Sequence, residues 1–377
     1  MTYKELIQIS KHVIGKSMRL DPISRLYGSP VFKQKKKRIP EEDIRAFQDQ
    51  LLRYGIYSNL HITPRRYLLK VTRGPNPMPR KKYGVNIVLF LLTILTTMMT
   101  GAMLRGKDPF ASWDNLQVGI PYSFALMTIL FFHEMGHYLT ARKYKVHVTL
   151  PYFIPIFLPA FHPGTMGAFI RMKSSIPNKR ALFDIGIAGP LAGFVMSLVF
   201  LTLGFSRLPD QAGIYRYIEQ IHPLNNPDTI NLVLGKSLIY EFFCQIFDGH
   251  RLPMNEMYHF PFIFAGWFGL LVTALNLMPI GQLDGGHIAY AMHEDKARGV
   301  ALVTFGLLIL LNVYIIYVYN SYVWVLWPLL ILFFIRFRHP PTLDNRIGLN
   351  TTRRILGWLA YIIFIVSFSP MPLYIQP

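Results

Sequence analysis

The sequence predicts an all-α membrane protein: a polytopic bundle of about seven transmembrane helices, a re-entrant strand-like hairpin and a small N-terminal α+β cytoplasmic region. The composition supports this class, because 52% of the 377 residues are hydrophobic and only 16% are charged. Ordinary globular chains carry about 25% charged residues. These figures argue against a soluble protein of one or two domains and exclude a disordered one. The single cysteine, Cys244, excludes an intrachain disulfide framework.

Residues 1–83 form a basic N-terminal region, with 19 Lys/Arg and 6 Asp/Glu out of a chain whose net charge is +19. The pattern of residues 41–53 predicts an amphipathic helix, and residues 67–71 predict a strand. The segment GPNPMP at 74–79 reads as a stiff linker. The run KKKR at 35–38 could bind nucleic acid, but we favour attraction to anionic lipid beside a membrane anchor. We therefore expect the lipid bilayer, and no nucleic acid, as a partner.

The predicted spans are the long stretches without a charged residue, because a helix needs about 20 apolar residues to cross a bilayer. Six stretches qualify: 85–104, 115–132, 185–206, 260–283, 300–335 and 355–377. The fifth covers 36 residues, enough for two helices that turn near residues 320–321. This makes seven spans. The N-terminal residues MTYKELIQIS lack the apolar core of a signal peptide, so we expect the first span to be retained.

Basic residues concentrate on alternate connections between the predicted spans. The segments 80–82, 142–145, 171–180 and 336–354 are basic, whereas 105–117 is neutral and 207–259 holds four Lys/Arg against six Asp/Glu. Because basic connections stay in the cytoplasm, this bias predicts a cytoplasmic N-terminus and an external C-terminus. We expect an integral protein of the bacterial cytoplasmic membrane.

The second span ends in FFHEMGHYLTARKY, where His133 and His137 lie about one helical turn apart. Both imidazoles can reach one metal ion from the same helix face, with Glu134 beside them to handle a proton. The alternative is two helix-end histidines with a chance glutamate. Because an ionisable side chain within a bilayer costs a few kcal/mol, we favour the metal site.

Asp284, in NLMPIGQLDGGH at the end of the fourth predicted span, is the best candidate for a third ligand. It is the only carboxylate between Glu256 and Glu294. A zinc hydrolase usually has three protein ligands and one open position. Zn²⁺, one carboxylate and hydroxide sum to zero charge with neutral histidines, as a low-dielectric cavity demands. The alternative is that Asp284 only caps the following helix. We expect one Zn²⁺ per chain.

The two motifs HEMGH and NLMPIGQLDGG together resemble the site-2 protease family of intramembrane zinc metalloproteases, in its branch without a PDZ domain. The segments GTMGAFIRMKS and ALFDIGIAGPLAGF resemble the same family. The resemblance covers about 85–345. It implies zinc on His133, His137 and Asp284, with Glu134 as the base and Asn276 near the site to hold substrate. We therefore divide the chain into the N-terminal region (1–83), a metalloprotease core (84–345) and an additional C-terminal transmembrane helix (346–377).

The expected function is intramembrane proteolysis by a zinc endopeptidase that hydrolyses peptide bonds in the transmembrane segments of single-span membrane proteins. Water activated by zinc and by Glu134 would attack the peptide carbonyl. The alternative is a membrane metal-ion transporter. Transport favours ligands spread along a path through successive helices, whereas here the candidates converge near one side of the membrane. The sequence leaves the substrate's identity, any prior cleavage and the oligomeric state open.

The segment 146–172 is apolar but carries four prolines that no regular helix tolerates: Pro151, Pro155, Pro159 and Pro163. It is predicted to be the re-entrant, strand-like element, covered by protein or facing a water-filled cavity. We hypothesise that its edge around Gly167, Ala168 and Phe169 pairs with unwound substrate. The alternative is an ordinary cytoplasmic loop.

For four other features we favour a structural role over a catalytic one. His147, His162 and His287 lie near the site in sequence and are expected to be polar-rim residues rather than ligands. Gly189 and Gly193 form a G-x-x-x-G pattern around Pro190, which predicts close helix packing rather than a moving gate.

Overall fold

The computed structural model describes most of the chain, and the statements below concern those residues only. They are 3–14, 18–20, 30–34, 41–63, 66–73, 83–158, 162–174, 176–223, 231–335, 337, 339–340, 342, 345 and 347–376. The KKKR run, the GPNPMP linker, Pro159 and parts of the basic connection 336–346 lie outside the described residues.

The N-terminal region is a small α+β unit with an antiparallel sheet of strand order β1-β2-β4-β3. Its elements are α1 (Tyr3–Ile14), β1 (Met18–Leu20), β2 (Val31–Gln34), α2 (Glu41–Arg53), β3 (Ile56–Thr63) and β4 (Arg66–Arg73). The predicted helix over residues 41–53 is confirmed as α2, and the predicted strand lies within β4. Apolar residues from α1, α2 and three strands close a separate core: Leu6, Ile14, Phe32, Leu51, Ile56 and Val71.

The rest of the chain is mostly helical. Its helices are α3 (Gly84–Met103), α4 (Trp113–Gln117), α5 (Ile120–Lys143), α6 (Lys179–Phe205), α7 (Gln211–Glu219), α8 (Leu238–Ile246), α9 (Pro261–Leu277), α10 (Asp284–His293), α11 (Ala297–Tyr319), α12 (Leu326–Leu330) and α13 (Thr351–Ser367). Its strands are β5 (Tyr152–Pro155), β6 (Thr165–Phe169), β7 (Asn231–Leu234) and β8 (Leu373–Gln376).

Three helices, α5, α6 and α9, pack against one another at the centre of this part. Small residues let two of them approach closely: a Cβ added to Gly136 on α5 would stand 2.5 Å from the carbonyl oxygen of Ala188 on α6. Large apolar side chains from all three helices fill the space between them, including Leu126, Leu201 and Phe264. The packing places the polar ends of α5 and α9 beside the middle of α6.

Within the described residues, three helices are long and apolar enough to cross a bilayer by themselves: α3, α6 and α11. The apolar helix α9 is shorter, with 17 residues. Helix α5 has 24 residues but includes the polar HEMGH segment. The chain is thus a largely helical protein with apolar spans, consistent with a membrane protein, and the count of seven spans stays a prediction.

The last two predicted spans differ from continuous helices. The chain turns at the expected place, since Asn320 is left-handed with φ of +47°. It then forms only α12 and a π-helical turn at Ile331–Ile335. Helix α13 ends at Ser367 rather than continuing to the C-terminus, because Pro370 and Pro372 cannot extend a helix. Residues 373–376 instead form β8, which pairs antiparallel with β7.

The proline-containing segment after α5 forms an antiparallel hairpin of β5 and β6. Tyr152 pairs with Phe169 and Phe153 with Ala168, and a β-bulge separates these pairs from Pro155 and Thr165. Asn86 on α3 anchors the hairpin, because its amide Nδ2 donates hydrogen bonds of 2.9 and 3.0 Å to the carbonyls of Leu150 and Pro151. Pro155 lies in the extended backbone of β5, where a missing N–H costs little.

Candidate active site

Helix α5 carries two histidines whose imidazoles face each other one turn apart. The Nε2 atoms of His133 and His137 lie 3.2 Å apart, and both side chains are buried. Two nitrogen lone pairs this close, in a region of low polarity, repel each other unless a cation or a proton lies between them. The helix thus holds two of the predicted ligands in position to share one cation.

Asp284, the first residue of α10, completes the cluster. Its Oδ2 lies 3.2 Å from His137 Nε2 and 3.4 Å from His133 Nε2. The following glycine makes this approach possible, because a Cβ at Gly285 would stand 2.0 Å from the carbonyl oxygen of Leu277. The chain between α9 and α10 therefore folds back tightly, and this tight fold explains the LDGG sequence. The structure brings the three predicted ligands together.

Helix α6 supports both imidazoles from the other side. His137 Nδ1 lies 2.7 Å from the carbonyl oxygen of Ile185. Because a carbonyl oxygen can only accept a hydrogen bond, Nδ1 carries the proton. The Nδ1–H tautomer leaves the Nε2 lone pair directed toward Asp284 and His133. Gly189 and Gly193 lie directly against the two rings. The G-x-x-x-G pattern thus provides close packing, here against the histidines.

Glu134 lies beside the cluster without joining it. Only 5% of the residue is exposed, and its Oε1 lies 4.0 Å from His133 Nε2. Its carboxylate and the backbone of Ile170, which directly follows β6, line the same cavity. Sequence reasoning missed this neighbour, because a backbone group leaves no mark in the residue types.

A cavity of about 430 Å³ opens in front of the cluster. Its wall combines the four predicted site residues on α5 and α10 with β6 and α9 and includes Ala168, Phe169, Ile170, Asn276, Gln282 and His287. Asn276 Nδ2 lies 3.4 Å from His133 Nε2. Gly167, the fourth predicted substrate residue, is not part of the wall. Its φ of +95° shapes the strand beside the cavity.

None of the three remaining candidate histidines contributes a ligand atom to the cluster. His287 lines the cavity, and its Nδ1 lies 2.6 Å from His339 Nε2. His162 accepts a hydrogen bond of 2.9 Å from the N–H of Gly164 within the hairpin. The backbone N–H of His147 donates to Ser174 Oγ. All three histidines thus lie outside the ligand cluster, and their role as polar-rim residues stays a prediction.

The donor set fits a zinc ion. Ligand atoms about 2.0–2.1 Å from a tetrahedral zinc lie about 3.3 Å from one another, and the three atoms here lie 3.2–3.4 Å apart. Two imidazoles and one carboxylate, with cavity space in front, also match a catalytic rather than a closed structural zinc site.

A charged network ties α13 to this site. Arg353 donates two hydrogen bonds of 2.7 Å to the carboxylate of Asp184, and Tyr144 Oη lies 2.5 Å from the same carboxylate. The bond to Asp184 raises the pKa of Arg353 above its usual value, so the guanidinium stays charged. Burial, together with Asp184, also raises the pKa of the Tyr144 hydroxyl. Asp184 precedes Ile185, whose carbonyl oxygen contacts His137, so α13 stabilises the backbone beside a predicted ligand.

Comparison with known proteins identifies the family. The model of peptidase family M50 matches residues 121–313, which include His133, His137, Asn276 and Asp284. The chain belongs to peptidase family M50. The site-2 protease resemblance of the two motifs is thereby confirmed at the level of the family.

Several plant relatives of this M50 chain carry names that describe them as metalloproteases. "Probable zinc metalloprotease EGY1, chloroplastic" of Oryza sativa subsp. japonica is 28% identical over 80% of this chain and 52% of the relative. "Probable zinc metalloprotease EGY2, chloroplastic" of Oryza sativa subsp. indica is 30% identical over 66% and 42%. "Probable zinc metallopeptidase EGY3, chloroplastic" of Arabidopsis thaliana is 30% identical over 57% and 38%.

The chain spans about half the length of the EGY1 relative that it matches. Zinc is the cofactor that the family and these names indicate. The names place the relatives in the chloroplast, which does not match the bacterial membrane expected from the sequence, so that location stays a prediction. No solved structure matches the chain.

Proposed function

We propose that this M50 protein is an intramembrane zinc endopeptidase that cuts peptide bonds within the transmembrane segments of single-span membrane proteins. The observation that carries the proposal is the convergence of two imidazoles and one carboxylate, 3.2–3.4 Å apart, beside a buried glutamate and a cavity. Hydrolysis needs these four groups together: three to hold zinc, and Glu134 to transfer protons.

The chemistry divides between the metal and the protein. When bound by His133, His137 and Asp284, zinc supplies Lewis acidity that activates water and polarises the peptide carbonyl. Glu134 takes the proton of the attacking water and passes it to the leaving amine. Glu134 lines the cavity together with Ile170 and Asn276, so its carboxylate can reach a water molecule there. Asn276 offers an amide to the substrate backbone.

The substrate helix must unwind before attack, because a helix hides its carbonyls in its own hydrogen bonds. The β6 edge that faces the cavity is the surface on which an extended substrate would add as a strand. Arg171 exchanges hydrogen bonds with Thr149, on the side of β5. The backbone groups of Arg171 therefore point toward β5. Because neighbouring residues of a strand direct their backbone groups to opposite sides, those of Ile170 and Ala168 point the other way, toward the cavity.

We further propose that the chain crosses the membrane seven times with its N-terminus in the cytoplasm, and that β5 and β6 re-enter the bilayer. The basic residues at the C-terminal end of α5, Arg142 and Lys143, support this orientation. With this orientation, His133 and His137 would lie on the cytoplasmic side of the membrane. Cleavage would then fall in the cytoplasmic half of the substrate helix.

A comparison of wild type with Glu134→Gln tests the proposal. Both full-length proteins are expressed in the same cells, the membrane fragments are compared by mass spectrometry, and the zinc content of each purified protein is measured. We expect wild type alone to release fragments that end within transmembrane segments, and both proteins to hold the same zinc at His133, His137 and Asp284. An identical set of fragments from both would sink the proposal.

The same pair of proteins separates the enzyme from a metal transporter. Reconstituted into vesicles, a protease should conduct no zinc, and Glu134→Gln should not change that. Zinc flux that persists in Glu134→Gln, without fragments from wild type, would favour transport instead.

A further inference from the structure

A second cluster of metal-ligating side chains lies far from the catalytic site. His222 follows α7, and Glu256 and His259 lie at the short 3₁₀ turn before α9. Helix α9 begins at Pro261 and carries Asn276 near its other end. The 15 residues between these positions rise about 22 Å at 1.5 Å per residue, so the cluster lies near the opposite end of α9 from the cavity.

The three side chains converge as closely as the catalytic ligands do. His222 Nε2 lies 3.1 Å from both Glu256 Oε2 and His259 Nε2, and His259 Nε2 lies 3.2 Å from Glu256 Oε2. These separations are close to the roughly 3.3 Å between ligands of a tetrahedral zinc. They also match the 3.2–3.4 Å within the His133, His137 and Asp284 cluster.

Hydrogen bonds to the other ring nitrogens orient both histidines. His259 Nδ1 contacts the carbonyl oxygen of Leu104 at the end of α3, and His222 Nδ1 lies 3.2 Å from the carbonyl oxygen of Pro223. A carbonyl oxygen can only accept a hydrogen bond, so Nδ1 of each neutral ring carries the proton and both Nε2 lone pairs face the cluster. Backbone carbonyls orient zinc-bound histidines in this way in other proteins.

A hydrogen bond also orients the carboxylate of Glu256. Its Oε1 accepts a hydrogen bond of 3.0 Å from Asn255 Nδ2, which leaves Oε2 for the two imidazoles. The residue is 7% exposed and His259 is 3% exposed. A buried carboxylate needs a compensating positive charge. The side chain of His222 is 29% exposed, so an ion could enter from that side and keep water as a further ligand.

The geometry points to a second divalent metal site, for Zn²⁺, formed by His222 Nε2, Glu256 Oε2 and His259 Nε2. Two imidazoles and one carboxylate suit this ion. The site joins the segment after α7, the turn before α9 and, through His259, the end of α3. Its role is structural: it clamps the start of α9, whose far end carries Asn276 into the catalytic cavity.

Without a metal, the same contacts would require protonated imidazoles paired with Glu256. Metal counting on the purified full-length protein decides between the two. The protein is equilibrated with excess Zn²⁺ in detergent, freed of loosely bound metal by gel filtration, and analysed by plasma mass spectrometry. We expect wild type to hold two zinc ions per chain and His222→Ala to hold one.

Four further variants assign the ions to their sites. The double variant His133→Ala/His137→Ala should hold one ion, which adding His222→Ala should remove. His12→Ala, at an exposed histidine of α1, is the matched control and should hold two. Glu256→Gln preserves the side-chain volume and should also hold one, so a folding defect in His222→Ala would not decide the outcome.

The unfolding temperature provides a second test. A chelator should lower the unfolding temperature of His133→Ala/His137→Ala and leave the triple variant unchanged. The inference is overturned if wild type holds a single ion that His222→Ala does not remove, or if His222→Ala and Glu256→Gln keep the wild-type count. Failure of the proposed protease site looks different, because the count would then be insensitive to His133 and His137 while still falling with His222.

Discussion

Gly189 on α6 lies directly against the imidazole of His137 on α5: a Cβ built at Gly189 would stand 2.1 Å from His137 Nε2. No side chain larger than hydrogen fits this space unless the ring moves. His133 has more room, because a Cβ at Gly193 would stand 3.1 Å from His133 Nδ1. The position of one predicted zinc ligand thus depends on the absence of a side chain on the neighbouring helix.

Gly189→Ala should therefore displace His137 and weaken zinc binding. We expect cleavage to fall by about 10²-fold, since a shift of about 1 Å in a catalytic group can cost that much, and the zinc content to fall with it. Gly306→Ala on α11 is the matched control, because nothing lies within 4 Å of its added Cβ. Full zinc content and activity in Gly189→Ala would contradict the packing argument.

Ala168→Pro should reduce cleavage by about fivefold, since it removes a backbone N–H from the strand edge that faces the cavity and an added hydrogen bond is worth about 1 kcal/mol. Zinc content should not change. Ala168→Ser retains the N–H and serves as the control. Unchanged cleavage of a single-span model substrate by the proline variant would refute strand pairing at β6.

Asn276→Ala should lower cleavage by about tenfold through the loss of one substrate hydrogen bond. The cavity wall loses an amide that lies 3.4 Å from His133 Nε2, but the three proposed ligands remain. The expected signature is thus reduced cleavage with normal zinc content. Loss of zinc instead would show that Asn276 supports the metal site rather than the substrate.

Arg353→Gln should destabilise the protein by about 1–2 kcal/mol, because it breaks two charge-assisted hydrogen bonds to Asp184 at a partly exposed site. A lower unfolding temperature of the purified protein would report this loss. The neighbouring Arg354 is exposed, so Arg354→Gln should leave the unfolding temperature unchanged. Equal effects of the two substitutions would mean that the Asp184 contact contributes nothing specific.

Much of the candidate site could be predicted because its chemistry is local in sequence. The spacing of His133 and His137 places them on one helix face wherever that helix lies. Four prolines in 146–172 rule out a helix there, and the structure has a hairpin of β5 and β6. The predicted turn near residue 320 occurs where a long apolar stretch holds its polar residues.

The missed elements are those whose pattern is short or mixed. Strands β1 and β2 are only three and four residues long. Helix α1 is an exception, because its apolar face, with Leu6 and Ile14 in the core, could have been predicted as that of α2 was. Strand β8 was taken as the end of a helix, because its apolar residues continue those of α13. Its pairing with β7 joins residues more than a hundred positions apart, and hydropathy contains no information about such a partner.

By itself, the sequence determined the family, the residue types of the candidate metal site and the helix that holds two of them, because each depends on a spacing of a few residues. Only the tertiary structure decided the rest: that Asp284 reaches His137 across 147 positions, that Gly189 lies against the His137 ring, that Glu134 and Ile170 line one cavity, and that His222, Glu256 and His259 meet. These contacts depend on how helices and loops pack in three dimensions, which local periodicity does not encode.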